Sequence, residues 1–385
     1  MHSLFYHRVR VLLPDQRWIH GLVIVLLVLL VIVPVSSIFL DRSGHAESAR
    51  LAALIGFSWM GFLFFASILA VGMDILDILS WTGRRIFARD LPTLWGKGPA
   101  IIMLASALLI CVYGVFDARR IRVERITVAT DKLPAGAQRL RIAQISDVHI
   151  GLLIGKPLLS AIIGILNREQ PQIVVSTGDL LDSSGHIDGL SPLLKQIQPR
   201  YGKYAVIGNH ECYLGLARSL AFLDQAGFRV VRNQVMTNGG IINIAGVDDP
   251  AAGIKTDEVA LLSSIPNKLF TLFLKHQPNV PTETHGLFDL QLSGHTHKGQ
   301  LFPFGYVVSL SYHYLAGFYP LSKGSSLYTS RGTGTWGPSM RVLSPPEVTI
   351  IDVESSRPNK CYKHYERNER EEPPKEKDSR HEDRE

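Results

Sequence analysis

RIAQISDVH, residues 141–149, joins a short apolar run to an aspartate and a histidine. The same arrangement recurs in IVVSTGD at 173–179, YAVIGNHE at 204–211, TLFLKH at 271–276 and DLQLSGHTH at 289–297. Short apolar runs bounded by turn residues are typical of strands buried on both faces of a sheet. The blocks therefore predict strands at 141–146, 173–177, 204–207, 271–275 and 289–292, each followed at once by polar side chains.

Segments with helical spacing and length, 158–167 and 216–226, lie between these strands. Alternating strands and helices favour an α/β domain with a largely parallel or mixed sheet. Ligands of open α/β sheets bind beyond the carboxyl ends of the strands. A single Gly-Asp is usually a turn, and a single histidine is more often structural. Five polar blocks in this one position instead predict a common site.

The polar residues of the blocks are the types that bind metal ions. The candidate ligands are Asp147, His149, Asp179, Asn209, His276, His295 and His297. Carboxylate, imidazole and amide groups without thiolate select Mn²⁺, Fe or Zn. Two ions about 3.5 to 4 Å apart need a shared carboxylate, and Asp179 is the best candidate because it comes from a central block. Such a pair lowers the pKa of a water to give a hydroxide nucleophile, which predicts phosphate ester hydrolysis.

His210 follows a candidate ligand directly in the chain and so points elsewhere. It is a candidate to protonate the leaving oxygen or to stabilise the transition state. Glu211 is a candidate to orient His210. Asp182 could orient a metal ligand, and a turn or helix cap is an equally simple role for it.

The first part of the chain carries three apolar stretches, 21–40, 51–73 and 99–116. Each has about the 17 to 25 residues that cross a bilayer as a helix. None shows the polar face of a soluble helix, and Trp18, Trp81 and Trp95 lie near their ends, where interfacial aromatics are expected. A cleaved signal peptide is the alternative for the first stretch, but the stretch is long and two others follow.

The domains expected from these patterns are an N-terminal arm at 1–20, a membrane region at 21–116 and a connector at 117–138. A catalytic domain at 139–353 and a tail at 354–385 follow. The connector is predicted to add an edge strand at 122–128. The tail is rich in Glu, Arg, Lys and Pro, so it cannot bury a core and is predicted to be disordered.

Basic residues are dispersed, although the net charge is +6. Without a basic block that contains aromatics, nucleic acid is not an expected partner, whereas membrane lipids and phosphate substrates fit the charge. The arm and the loop predicted at 74–98 carry slightly more Lys and Arg than the opposite side. This predicts a plasma (inner) membrane protein with an extracytoplasmic catalytic domain. The basic cluster at 119–125 argues for the opposite orientation, or else binds lipid headgroups.

The blocks together resemble the calcineurin-like metallophosphoesterase superfamily, whose pattern is D-x-H, G-D-x-x-D, G-N-H-[DE], H and G-H-x-H. The resemblance covers about residues 140–353. It implies two mixed β-sheets between helices and a catalytic His210. It also implies one metal ion on Asp147, His149, Asp179 and His297, and a second on Asp179, Asn209, His276 and His295.

The sequence is similar, more narrowly, to the membrane-associated branch with YkuE- and YaeI-type phosphodiesterases and animal transmembrane metallophosphoesterases. The similarity lies in GVDD at 246–249, SGHTH at 293–297, GQ at 299–300, SRGTG at 330–334 and PPE at 345–347. Two departures are visible. Lys298 stands where the branch usually has Gly, and Glu211-Cys212 replaces Asp-Tyr. Lys298 could bind a substrate phosphate or be a solvated lysine.

The complete ligand set predicts a metal-dependent phosphodiesterase or pyrophosphatase anchored in the membrane, with manganese among the candidate metals. Its substrate would be a phosphate ester, and a phospholipid or a lipid-linked sugar nucleotide such as UDP-diacylglucosamine is a candidate. The rival hypothesis from another class is a catalytically inactive metal-binding sensor or scaffold in the membrane. A missing ligand or a replaced His210 would favour the rival, and the sequence has neither.

Overall fold

The structure is a computed structural model that describes residues 1–88, 90–182, 185, 187 and 189–357. Most of the predicted tail, 358–385, lies outside the described residues. The helices are α1 His2–Val9, α2 Arg17–Arg42, α3 Ala46–Phe87, α4 Lys97–Ala118, α5 Lys156–Glu169, α6 Ser191–Lys195, α7 Asn209–Leu214, α8 Leu216–Gln225, α9 Glu258–Ser263 and α10 Gly305–Val308. The strands are β1 Arg122–Thr130, β2 Arg139–Ile145, β3 Ile173–Thr177, β4 Lys203–Val206, β5 Phe228–Val230, β6 Gln234–Asn238, β7 Ile242–Gly246, β8 Phe270–Leu274, β9 Leu290–Ser293, β10 Gly317–Pro320, β11 Ser326–Thr329 and β12 Glu347–Ser355.

Helices α2, α3 and α4 are long and apolar enough to cross a membrane, which confirms the three predicted spans and makes this a membrane protein. Small residues allow α2 and α3 to approach closely. Gly56 of α3 lies against Pro34 of α2, where an added Cβ would come 2.6 Å from the Pro34 nitrogen. Small residues at helix contacts are the usual packing device inside a bilayer, because hydrocarbon supplies no hydrophobic drive between helices.

The end of the second span differs from the prediction, because α3 continues to Phe87 where a loop was expected from residue 74. Its two aspartates contact the N-terminal arm. The buried Arg8 of α1 forms ion pairs with Asp74 and with Asp77, and its Nη2 atom lies 3.2 Å from Oδ2 of Asp77. Arg8 also donates to the carbonyl of Leu94 at 2.8 Å. The helix can therefore carry these charges because the arm supplies their partner.

The catalytic domain has two mixed six-stranded sheets, in the orders β1-β12-β2-β3-β4-β5 and β10-β11-β9-β8-β7-β6. Their inner faces share one apolar core, in which Ile142 and Val175 of the first sheet join Leu272 and Leu292 of the second. Helices α5, α6 and α8 cover the outer face of the first sheet, and α9 packs on the second. This arrangement confirms the predicted fold of two mixed sheets between helices.

The five predicted strands correspond to β2, β3, β4, β8 and β9, with ends that differ by at most two residues. The edge strand expected at 122–128 is β1, which pairs in parallel with β12 at the sheet edge. Strand β12 runs to Ser355, which is paired with Thr130. The pairing therefore continues two residues past the boundary expected at 353.

The catalytic domain contacts the membrane helices directly. The backbone nitrogen of Arg341 donates to the carbonyl of Gly114 in α4 at 2.9 Å. Met340 lies against Gly61 of α3, where an added Cβ would come 2.7 Å from its sulfur. The amide of Gly185 donates to Asp41 at the end of α2 at 2.8 Å. All three long helices, α2, α3 and α4, thus touch the domain.

Candidate metal centre

The five polar blocks meet at the carboxyl ends of β2, β3, β4, β8 and β9, as their position in the sequence predicts. The candidate ligand atoms form three groups, each within 4.8 Å: Asp147 with His149 and His297, His149 with Asp179 and His210, and Asp179 with His276 and His295. Asn209, the remaining candidate, places Oδ1 3.2 Å from Nε2 of His276. The structure therefore brings all seven candidate ligands and His210 together.

The spacing of these atoms fits divalent cations. Nε2 of His149 lies 3.1 Å from Nε2 of His297, and Nδ1 of His295 lies 3.1 Å from Nε2 of His276. Two ligands at about 2.1 Å from one tetrahedral or octahedral ion are separated by roughly 3 to 3.5 Å. Imidazole nitrogens that converge in this way beside buried carboxylates are the donor set expected for Mn, Fe or Zn.

His276 is held in one orientation by the backbone. Its Nδ1 donates to the carbonyl of Thr177 at 2.8 Å, which leaves Nε2 facing Oδ2 of Asp179 at 3.2 Å. Burial lowers the pKa of His276, but the Asp179 carboxylate outweighs it and raises the pKa to about 10. The position between Nε2 of His276 and the Asp179 carboxylate thus favours a positive charge. A bound cation would supply that charge in place of a proton.

Asp179 lies between the two halves of the centre, one on the side of His149 and the other on the side of His276. Besides its 3.2 Å approach to His276, its Oδ2 lies 4.0 Å from Nε2 of His149. Burial raises the pKa of Asp179, but His276 and His149 hold it well below the ordinary value. An ionised carboxylate between two imidazole groups is the geometry expected of a bridging ligand.

Asp147 links the first block to the last. Its Oδ1 and Oδ2 atoms accept from the backbone nitrogen of His295 at 2.9 and 3.0 Å. Its Oδ1 atom lies 3.5 Å from Nε2 of His297. Burial raises the pKa of Asp147 to about 6, although nearby His276 opposes that rise. A bound cation would stabilise the ionised form further.

The backbone at these blocks is strained. Asp147, His149, Asp179, His295 and His297 all have left-handed φ values, from 49 to 70°. Such conformations cost about 1 to 3 kcal/mol each for residues other than glycine, and they cluster at functional sites. Gly294 shows how closely the loops approach, because an added Cβ would come 2.1 Å from Oδ2 of Asp147. The fold therefore fixes the directions of the candidate ligands.

His210 stands beside the centre with its own carboxylate partner. Its Nδ1 lies 2.9 Å from Oδ1 of Asp182. Burial lowers the pKa of His210, but the hydrogen bond to Asp182 and the charge of Asp179 raise it above the ordinary value. Asp182 was expected to orient a metal ligand or form a turn, and its carboxylate contacts the candidate catalytic histidine. This pair favours an imidazolium that can donate a proton.

Glu211 has a different role from the one predicted, because its carboxylate bonds to backbone groups instead of the His210 ring. Oε2 accepts from the nitrogens of Asp179 and Gly208 at 2.9 and 2.7 Å. Oε1 accepts from the nitrogen of Leu181 at 2.9 Å. The prediction that Glu211 orients His210 is therefore wrong, because the carboxylate bonds to backbone nitrogens and not to the His210 ring. The side chain ties the second block to the third.

Lys298 is exposed and has a left-handed φ of 51°. Glycine adopts this conformation without a steric penalty, which accounts for glycine being usual here in the branch that the sequence resembles. The exposed position agrees with a solvated lysine and leaves room for an anion. Its contact with a substrate phosphate stays a prediction.

Several neighbours of the centre carry no sequence motif. The hydroxyl of Tyr312 lies 2.7 Å from Nε2 of His295. Nη2 of Arg341 lies 3.1 Å from Nδ1 of His297. The half-exposed ring of Trp336 packs edge-on to His210, with centroids 5.7 Å apart. All three come from segments after the last block, where sequence spacing gives no indication of distance to the site.

Tyr312→Phe is expected to weaken Mn²⁺ binding about 10-fold, because partners that orient a metal-binding histidine typically contribute about 10- to 100-fold in affinity. Isothermal titration calorimetry of the metal-depleted full chain with Mn²⁺ measures the change in affinity. Tyr306→Phe is the matched control, since Tyr306 is 70% exposed. Equal affinity in the two variants would contradict a positioning role for Tyr312.

Comparisons with known proteins agree with this fold. The family model described as calcineurin-like phosphoesterase matches residues 140–299. An uncharacterized metallophosphoesterase of Aquifex aeolicus is 39% identical over 254 residues, which are 64% of this chain and 97% of that protein. The chain therefore belongs to the calcineurin-like phosphoesterase family, a family of phosphoester hydrolases that use divalent metal ions.

Two other relatives extend the comparison to the membrane-associated branch. The metallophosphoesterase YkuE of Bacillus subtilis is 32% identical over 60% of this chain and 84% of its own length. A Bos taurus protein named transmembrane protein with metallophosphoesterase domain is 28% identical over 81% of this chain and 76% of its own. The second match extends over more of the chain than the catalytic domain alone.

Proposed function

We propose that this protein is a membrane-anchored phosphoesterase with two metal ions that hydrolyses phosphodiester or pyrophosphate bonds. The observation that supports this most directly is Asp179 between two imidazole groups, beside the His210–Asp182 pair. The proposed ligands of one ion are Asp147, His149, Asp179 and His297, and those of the other are Asp179, Asn209, His276 and His295. Bound Mn, Fe or Zn ions would supply Lewis acidity toward phosphoryl oxygens and toward a water.

The residues around His210 suit the protonation of a leaving oxygen. Asp182 holds the Nδ1 side of the ring, so the Nε2 side is the one available to a substrate. Tyr213 and Trp336 pack against His210 and are 60% and 56% exposed. These aromatic side chains provide an apolar rim, which would hold the leaving group while His210 donates its proton.

An exposed apolar surface supports a lipid-linked substrate. Residues 302–310 expose several large side chains, among them Tyr306 at 70% and Leu310 at 86%. Phe304 contacts Phe64 of α3, with ring centroids 6.2 Å apart, and Tyr312 beyond the segment contacts His295. Because exposed apolar patches of this kind mark membrane or ligand contacts, we favour a phospholipid or a lipid-linked sugar nucleotide, such as UDP-diacylglucosamine.

His210→Ala tests the mechanism. The full chain in detergent with Mn²⁺ is expected to hydrolyse bis-p-nitrophenyl phosphate, and the variant is expected to lose about 10²- to 10⁴-fold in kcat, the usual contribution of a general acid. Bound Mn²⁺, measured by mass spectrometry of the metal, should stay unchanged. His313→Ala, at an exposed position, is the control. Full activity in His210→Ala would refute the proposed role of this histidine.

The same assay distinguishes an enzyme from the inactive metal-binding sensor. A sensor would bind two ions yet turn over neither bis-p-nitrophenyl phosphate nor a pyrophosphate-linked substrate. The complete ligand set and the His210–Asp182 pair argue for an enzyme. The side of the membrane stays a prediction from charge, with the catalytic domain extracytoplasmic in the plasma membrane. A reporter fused after residue 357 would test it.

A further inference from the structure

A cavity of about 620 Å³ lies where the catalytic domain meets the membrane helices. This volume is within the roughly 300 to 1,000 Å³ of ordinary small-molecule sites. Its walls come from α3, from the end of α4, from the start of α5 and the loop before it, and from the loop before β12. The apolar part of the lining includes Leu54, Val115, Leu153, Ile154, Leu158 and Met340.

Two arginines give this cavity a positive end. Arg50 in α3 and Arg119 at the end of α4 both line it and are both exposed. Among the residues that the structure describes, neither guanidinium has an acidic partner within ion-pair distance. Unpaired arginines bind phosphate through parallel N–H donors. A cavity with an apolar wall and a positively charged end is complementary to an amphiphile that has an anionic head.

The position of the arginines matches the depth of a lipid headgroup. Helix α3 begins at Ala46 and α4 ends at Ala118, so Arg50 and Arg119 both lie at the helix ends that face the catalytic domain. Basic residues next to membrane spans attract anionic lipids. The apolar lining continues from these two residues between the domain and the spans, where an acyl chain would be shielded from water.

One wall of the cavity also belongs to the metal centre. Gly334 lines the cavity, and its nitrogen donates to the carbonyl of Asp147 at 3.0 Å. Gly334 packs so closely that an added Cβ would lie 2.0 Å from the carbonyl oxygen of Val148. A molecule in the cavity is thus separated from the first block by one residue of backbone.

We propose that this cavity binds one anionic glycerophospholipid. Its phosphate contacts Arg50 and Arg119, and one acyl chain lies against Leu54, Val115 and Leu158. The bound lipid joins the spans to the catalytic domain beside the Asp147 loop. This binding goes beyond the proposed hydrolysis, because it requires neither metal ions nor turnover.

Native mass spectrometry of the full chain in a neutral detergent measures this binding with phosphatidylglycerol and phosphatidylcholine as probes. One phosphatidylglycerol is expected per chain, with about 10-fold preference over phosphatidylcholine. Both lipids carry a phosphate, but the two arginines repel the choline ammonium of phosphatidylcholine and not the neutral glycerol of phosphatidylglycerol. Arg50→Gln with Arg119→Gln should remove the preference. Arg42→Gln with Arg120→Gln, the same change of charge at exposed arginines outside this cavity, should retain it. Equal loss in both pairs would show general surface attraction and overturn the site.

A second variant tests the apolar part without changing charge. Ala161 lines the cavity from an exposed position on α5, so Ala161→Trp fills space there without disturbing the core. It is expected to lower phosphatidylglycerol binding at least about 5-fold, because the acyl chain loses its apolar contact. Glycerol 3-phosphate should not displace the lipid. Unchanged binding in Ala161→Trp, or displacement by an equal concentration of glycerol 3-phosphate, would refute a lipid site.

Discussion

Asp179→Asn is expected to remove metal from both halves of the centre and to lower kcat/KM by at least about 10³-fold, since one side chain faces both imidazole groups. The carboxylate lies 3.2 Å from His276 and 4.0 Å from His149. An amide has no charge to offset two cations, and only its oxygen can bind one of them. The loss should therefore exceed that of a ligand used by one ion.

The comparison with Asp147→Asn makes this prediction specific. Asp147 is in one of the three groups of candidate ligand atoms, whereas Asp179 is in two. Bound Mn²⁺ should thus fall from two ions to about one in Asp147→Asn and to none in Asp179→Asn at the same free concentration. Asp224→Asn, at an exposed position, is the control. Two tightly bound ions in Asp179→Asn would contradict a bridging role.

Much of this centre could be predicted from the sequence because it depends on local order. Buried strands read as short apolar runs, and the polar residue after each run must lie at the carboxyl edge of its sheet. That reasoning placed Asp147, Asp179 and His276 correctly beyond β2, β3 and β8. The bilayer-length spans were predictable for a similar reason, since length and hydropathy are local properties.

The parts that could not be predicted depend on contacts between distant segments. Arg8 stabilises the aspartates that extend α3, and nothing in the apolar pattern links the arm to residue 77. Tyr312 reaches His295 from a loop that has no periodicity. Glu211 follows His210 in the chain, so adjacency suggested the wrong partner, whereas its carboxylate bonds to backbone nitrogens of neighbouring loops.

Arg341→Met is expected to lower the free energy of unfolding by about 3 to 5 kcal/mol, because three carbonyl groups lose their donor and each buried unsatisfied group costs about 1 to 3 kcal/mol. Arg341 is fully buried, and its guanidinium donates to the carbonyls of Gly334, Arg331 and Ser344 at 3.0, 2.6 and 3.2 Å. Burial lowers its pKa to about 10 although Asp147 and Glu347 oppose this, so it remains charged at neutral pH. Methionine fills similar space and leaves those carbonyls without a donor.

Thermal unfolding in detergent measures this loss, and Arg229→Met, at an exposed position, provides the control. Arg341 also contacts His297, so the substitution should weaken metal binding as well. A lower unfolding temperature alone would therefore have two possible causes, the lost hydrogen bonds and the weaker metal binding. Saturating Mn²⁺ separates them, because a bound ligand restores only the stability that depends on its binding. We expect most of the loss to persist with Mn²⁺, since the unsatisfied carbonyls are independent of the ions. Full recovery would instead assign Arg341 to the metal centre alone.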